Sequence, residues 1–149
     1  MRYRLINWKA FVTASVILTL LATLSYAPGV GAAGHSVTNI TLNPRTPHFL
    51  VHNQRVTVSF SYSTTQPGGV HIYARPLTRG SATPGSAAPG APLSATGSGT
   101  GSQYFIITTG SATVDQIRIQ MWNAGQTVLL FEAFLPVHYS IYRPNQRKP

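Results

Sequence analysis

The chain of 149 residues contains no cysteine. That excludes disulfide staples, a thiolate metal site and a cysteine-linked lipid anchor, even where the compartment is oxidising. Acidic side chains are nearly missing as well. Asp115 and Glu132 are the two, against 11 lysines and arginines, for a formal net charge of +9. Two carboxylates are scant material for paired acid–base hydrolysis. Beyond residue 33 no stretch carries a sustained helical period, which argues against a helical bundle.

What is present begins with a targeting segment. Arg2, Arg4 and Lys9 form a positive start, and Ala10 to Ala27 then runs uncharged, most apolar at Val16 to Leu21. Gly29, Gly31, Ala32, Ala33 and Gly34 supply small residues for cleavage. This order is that of a secretory signal peptide, with a cut expected after Ala32 or Ala33. Residues 1–33 are therefore read as a leader helix removed on export. The alternative is an uncleaved membrane anchor, and membrane contact is expected only through this segment.

A cut after Ala33 leaves about 116 residues, a size that fits one sandwich domain. The remainder carries Asp115 and Glu132 against eight basic residues, about +6. Such a balance favours anionic surroundings, such as envelope polymers and acidic glycans. The basic residues are dispersed, apart from Arg143, Arg147 and Lys148 in a tail over 143–149 that is expected to be disordered. Without a dense basic stripe, nucleic acid is not an expected partner.

Alternation with period two recurs along 34–142. Thr38, Ile40 and Leu42 suggest a first strand, broken at Asn43-Pro44 through Pro47. From Arg55 to Tyr62, Val56, Val58, Phe60 and Tyr62 share one face. Pro67-Gly68-Gly69 turns the chain into Val70 to Ala74. Tyr104 to Thr109, Val114 to Trp122 and Val128 to Leu135 read as further strands, with Asn123-Ala124-Gly125 as a hairpin signal. Pro136 marks an edge, a bulge or a break before Val137 to Ile141.

Residues 78–103 differ: Gly, Ala, Ser, Thr and Pro fill nearly all of them. The segment reads as a long loop with a short edge strand around Leu93, most flexible at Gly97 to Gly101. In the last hairpin, Ile117, Ile119 and Met121 are set facing Leu129, Phe131 and Ala133. That alignment puts Arg118 opposite Glu132 as a cross-strand ion pair.

The expected fold is all-β: an immunoglobulin/fibronectin-III-like sandwich of about six to eight antiparallel strands, preceded by the signal helix. A small barrel is the alternative. The stretches Gly69 to Pro76, Gly97 to Gly101 leading to Phe105, and Val114 to Met121 resemble an uncharacterised family of bacterial exported proteins with an immunoglobulin-like domain. The resemblance implies a bacterial envelope or extracellular setting. It carries over no functional residues.

Motifs for chemistry are weak. Gly97-Ser98-Gly99 lies in the expected flexible loop, unsuited to a nucleophile elbow. His48 and His52 would converge on a metal only in a helix, which Pro47 disfavours. The glycine-rich loop has no lysine and precedes no helix, so it is no phosphate cradle. Asn39-Ile40-Thr41 matches a glycosylation sequon within a strand. No catalytic, cofactor or metal residue is assigned.

One face stands out. Neighbouring strands would turn His71, Tyr73 and Arg75, and Gln116, Arg118, Gln120 and Trp122, to the outside. Aromatic rings beside hydrogen-bond donors suit sugars and protein partners. An ordinary solvated sheet face is the bland alternative. The functional expectation is a non-catalytic exported interaction module that binds an anionic envelope polymer, a glycan or a protein. A structural subunit assembling through sheet edges and a small secreted hydrolase are the alternatives.

Overall fold

Alternating apolar side chains bury one side of an extended strand, and two such sides must meet to exclude water. The computed structural model, which describes residues 30–31 and 33–142, realises this as two packed sheets without a helix. The leader expected over 1–33 lies almost wholly outside the described residues, as does the tail over 143–149.

Among the described residues eleven strands follow in chain order: β1 (Val30–Gly31), β2 (His35–Asn43), β3 (His48–Val51), β4 (Val56–Thr64), β5 (Val70–Thr78), β6 (Ser81–Ala82), β7 (Ser86–Ala87), β8 (Leu93–Ser94), β9 (Gly97–Ile107), β10 (Ala112–Asn123) and β11 (Leu129–Tyr142). One sheet runs β1-β11-β10-β5-β6, with β3 alongside β11 and β8 alongside β5. The other runs β2-β4-β9-β7. The pairing of β1 with Phe131 and Glu132 of β11 falls inside the segment read as the leader.

The core lies between the sheets. Val56, Val58, Phe60 and Tyr62 face Val70, Ile72, Ala74, Ile117, Ile119 and Met121, with Phe105, Tyr139 and Ile141 closing it. Strand β2 keeps this pattern through a bulge. Asn39, at φ 51°, interrupts the ladder between Thr38 and Thr41, so Val37 and Ile40 both turn inward although three residues apart.

Antiparallel strands were expected, and one pair, β3 with β11, is parallel. The chain leaves β2 at Asn43 and crosses to the other sheet through Pro44 and Pro47 instead of folding back as a hairpin. Strand β3 thus arrives beside β11 running in the same direction. Thr46 caps the β11 edge there. Its hydroxyl receives the His138 N–H at 2.6 Å and donates to the His138 carbonyl.

The segment 78–103 corrects the expectation of one long loop. Gly97 to Gly101 is not flexible connection but the first half of β9, paired without interruption to β4 from Thr64↔Gly97 to Val56↔Phe105. The reason is in the inward positions. A Cβ on Gly99 would sit 2.8 Å from the Tyr62 hydroxyl and 2.9 Å from its ring, and one on Gly101 would sit 2.8 Å from the Phe60 ring. Glycine alternates with Ser98, Thr100 and Ser102 because the rings of β4 lie over the β9 backbone. The expected edge strand around Leu93 is β8, paired to Val70 and His71.

Candidate functional site

Strands β5 and β10 are adjacent, as the two site strands were expected to be. Trp122 pairs with His71, Gln120 with Tyr73, Arg118 with Arg75, and Gln116 with Leu77. Because Ile72, Ala74, Ile117, Ile119 and Met121 are held in the core, the alternate residues are forced to the outer face. All seven expected site residues come together there.

They are half-buried instead of fully exposed. Two segments fold over the face. The chain after β5 returns across it, and His71 Nδ1 lies 2.9 Å from the Ala91 carbonyl while Arg75 Nη1 donates to the Pro89 carbonyl at 3.1 Å. From the other end, the β10–β11 turn brings Gln126, whose Oε1 accepts from the Tyr73 hydroxyl at 2.6 Å. What sequence presented as a flat patch is a groove of about 410 Å³. Its lining includes Tyr73, Arg75, Arg118, Gln120, Trp122 and Gln126, with Leu77, Ala82 and Ser86 at one end. His71 holds the covering chain and is not part of the lining, and neither is Gln116. Gln126 and Ser86 were not singled out from sequence. A residue in a turn acquires its direction only when the turn is built.

The electrostatics are unusual. Arg75 and Arg118 stand directly opposite one another, an unfavourable arrangement for like charges on neighbouring strands. Burial pulls the Arg75 guanidinium below the usual arginine value; nearby Tyr73 opposes that depression and Arg118 adds to it. The Arg75 guanidinium lies 4.8 Å from the centre of the Tyr73 ring, and His71 stacks on the other side of the same row with ring centres 6.5 Å apart. Arg118 Nε is buried without a hydrogen-bond partner.

Glu132 does not neutralise this pair, and the expected Arg118–Glu132 pairing is corrected. Gln120 faces Glu132 and donates to it at 2.8 Å, while Arg118 faces Phe134. The register is displaced by two residues: the turn pairs Trp122 with Leu129, which adds one, and the bulge of Leu130 into the core between an outward Leu129 and Phe131 adds the second. The second acid is also engaged: Asp115 Oδ2 accepts from the Arg79 backbone N–H at 2.8 Å. Each carboxylate thus has a local structural partner.

The histidines are dispersed. His35 meets the Thr64 hydroxyl at 2.8 Å, and His52 Nε2 contacts the Gly110 carbonyl. No group of three metal-ligating side chains gathers among the described residues.

Fold and groove together define an immunoglobulin-like β-sandwich with a ligand-sized depression on the outer face of one sheet. The structure is similar to that of a Niemann-Pick type C2 protein from the Japanese carpenter ant, at 12% sequence identity and a TM-score of 0.50. The match covers 78% of this chain and 98% of that one, and the likeness is one of fold. No family model matches the chain, and no curated protein matches it.

Proposed function

We propose that this protein is a non-catalytic exported module that binds a cell-envelope polymer, a glycan or a protein partner in the β5–β10 groove. The observation that carries the reading is the convergence of Tyr73, Trp122, Arg75, Arg118, Gln120 and Gln126 on one depression of about 410 Å³. That volume lies within the range of about 300–1,000 Å³ common to ligand sites. Aromatic surface and fixed hydrogen-bond donors are the mixture that saccharides and protein anchors require. The leader-like segment supports export, and the resemblance of Gly69 to Pro76, Gly97 to Gly101 and Val114 to Met121 to a family of bacterial exported proteins supports an envelope setting.

The test is a glycan-array and envelope pull-down screen with the exported chain and its Trp122→Ala variant. The variant is expected to lose about tenfold or more in affinity, as interface tryptophans commonly do. Saturable binding that Trp122→Ala retains in full would move the site off this groove.

Assembly through a sheet edge is the second reading. On the outer strand β3, Phe49 lies 5.8 Å from Tyr142, and Val51 is 57% exposed. Concentration-dependent oligomers that persist in Trp122→Ala would favour it.

A further inference from the structure

We infer that the groove is a receptor for an acidic sugar, with Arg75 and Arg118 as the seat of its carboxylate. The inference rests on the reading of the groove as a ligand site and specifies the chemistry of its occupant. Three observations carry it.

First, two guanidiniums occupy paired positions on β5 and β10, and neither is ion-paired among the described residues. The two carboxylates that could have served are used elsewhere, by Gln120 and by the Arg79 backbone. A sheet holding like charges directly opposite is destabilised until an anion comes between them. Second, Arg75 is set in place, pinned by the Pro89 carbonyl and lying over Tyr73, while Arg118 has a donor, its Nε, that no group of the protein uses. Guanidiniums bind carboxylates through paired N–H donors, so fixing them beforehand reduces the entropy lost on binding.

Third, the surroundings favour a ring over a chain of phosphates. Tyr73 and Trp122 line the groove beside the charged pair, offering apolar surface to the C–H face of a sugar. Gln126 uses Oε1 to accept from Tyr73, which leaves its amide N–H groups for a ligand hydroxyl. Gln120 is held in position by Glu132. A polyphosphate would use the arginines and leave the rings idle. An acidic saccharide engages both.

The experiment is calorimetric titration of the full-length protein with a short oligogalacturonate and with its methyl ester, which keeps the rings and removes the charge. The acid is expected to bind, and the ester to bind about ten- to hundredfold more weakly, as loss of charge-assisted hydrogen bonds requires. Added salt should weaken the acid and leave the ester nearly unchanged. Arg75→Gln and Arg118→Gln should each abolish the preference for acid, and Arg118→Lys should restore part of it. Folding is checked by melting: relief of repulsion predicts that Arg118→Gln melts no lower than the parent. Should a variant unfold, the preference is read on the parent from the rise in melting temperature with acid against ester.

Equal binding of acid and ester overturns the inference. The groove reading survives that result if Trp122→Ala abolishes binding of both, and falls with it if Trp122→Ala keeps both. Binding of neither probe, or tighter binding of inorganic polyphosphate or a phosphopeptide than of the oligogalacturonate, overturns the sugar class.

Discussion

The lack of a side chain at Gly99 and Gly101 lets β9 lie against the rings of β4. At Gly101 the space a side chain would fill holds the Phe60 ring, which is 5% exposed. Gly101→Val is therefore expected to lower folding stability by about 1–3 kcal/mol, the usual result of overpacking a filled core. Its neighbour Ser102 points outward, and Ser102→Thr should stay within about 0.5 kcal/mol of the parent. Urea denaturation of the two variants side by side checks the contrast. Equal stability would mean that the ring does not lie over the strand. Composition had made Gly97 to Gly101 look like a linker, because glycine and serine are counted alike in a low-complexity stretch. The alternation within it was the signal: glycine on one face and hydroxyls on the other, matching the large-residue alternation of β4.

At the scale of the element, the strands with clear apolar alternation were legible. Val56 to Tyr62, Val70 to Ala74 and Val114 to Trp122 all lie in strands with the expected faces inward. The outer face of β5 and β10 followed from the same alternation, so the site residues came with the strands. What was not legible depends on contacts between segments distant in sequence. The turn and the Leu130 bulge each add one residue and together displace the β10–β11 register by two, which keeps Phe131 and Ala133 inward, turns Leu129 out in favour of Leu130, and changes every partner. Face is set by pattern within one strand; partner is set by turn and bulge geometry. For the same reason the covering chain at Pro89 and Ala91 could not be foreseen, since it is held by a guanidinium and an imidazole from β5. Hydrogen exchange tests the revised account of β9. Alternate amides from Gly97 to Phe105 should be protected by the ladder to β4, and uniformly fast exchange over 97–101 would return that stretch to loop.

The whole sandwich is tied together at Tyr139. Its ring, fully buried on β11, meets Phe105 of the facing sheet edge-on at 6.4 Å. Its hydroxyl donates to the Pro44 carbonyl at 2.7 Å, in the crossing between β2 and β3 that joins the two sheets. Burial pushes this phenol up to about 12, because the anion would lose its hydration inside the core. The sign of the pH dependence follows. With the folded value above the unfolded one near 10, the native state keeps a proton that the unfolded chain has released, so stability falls as pH rises between the two. Below pH 10 this contribution is fully present; it is lost through the window from about 10 to about 12. The expected slope is at most about 1.4 kcal/mol per pH unit from this one group. Tyr139→Phe should be less stable than the parent at neutral pH, because the Pro44 carbonyl loses its donor. Its stability should also fall less steeply through the alkaline window. Denaturant midpoints for both proteins from pH 8 to 12 measure the difference, and parallel curves would show that Tyr139 does not bind its proton more tightly in the folded chain.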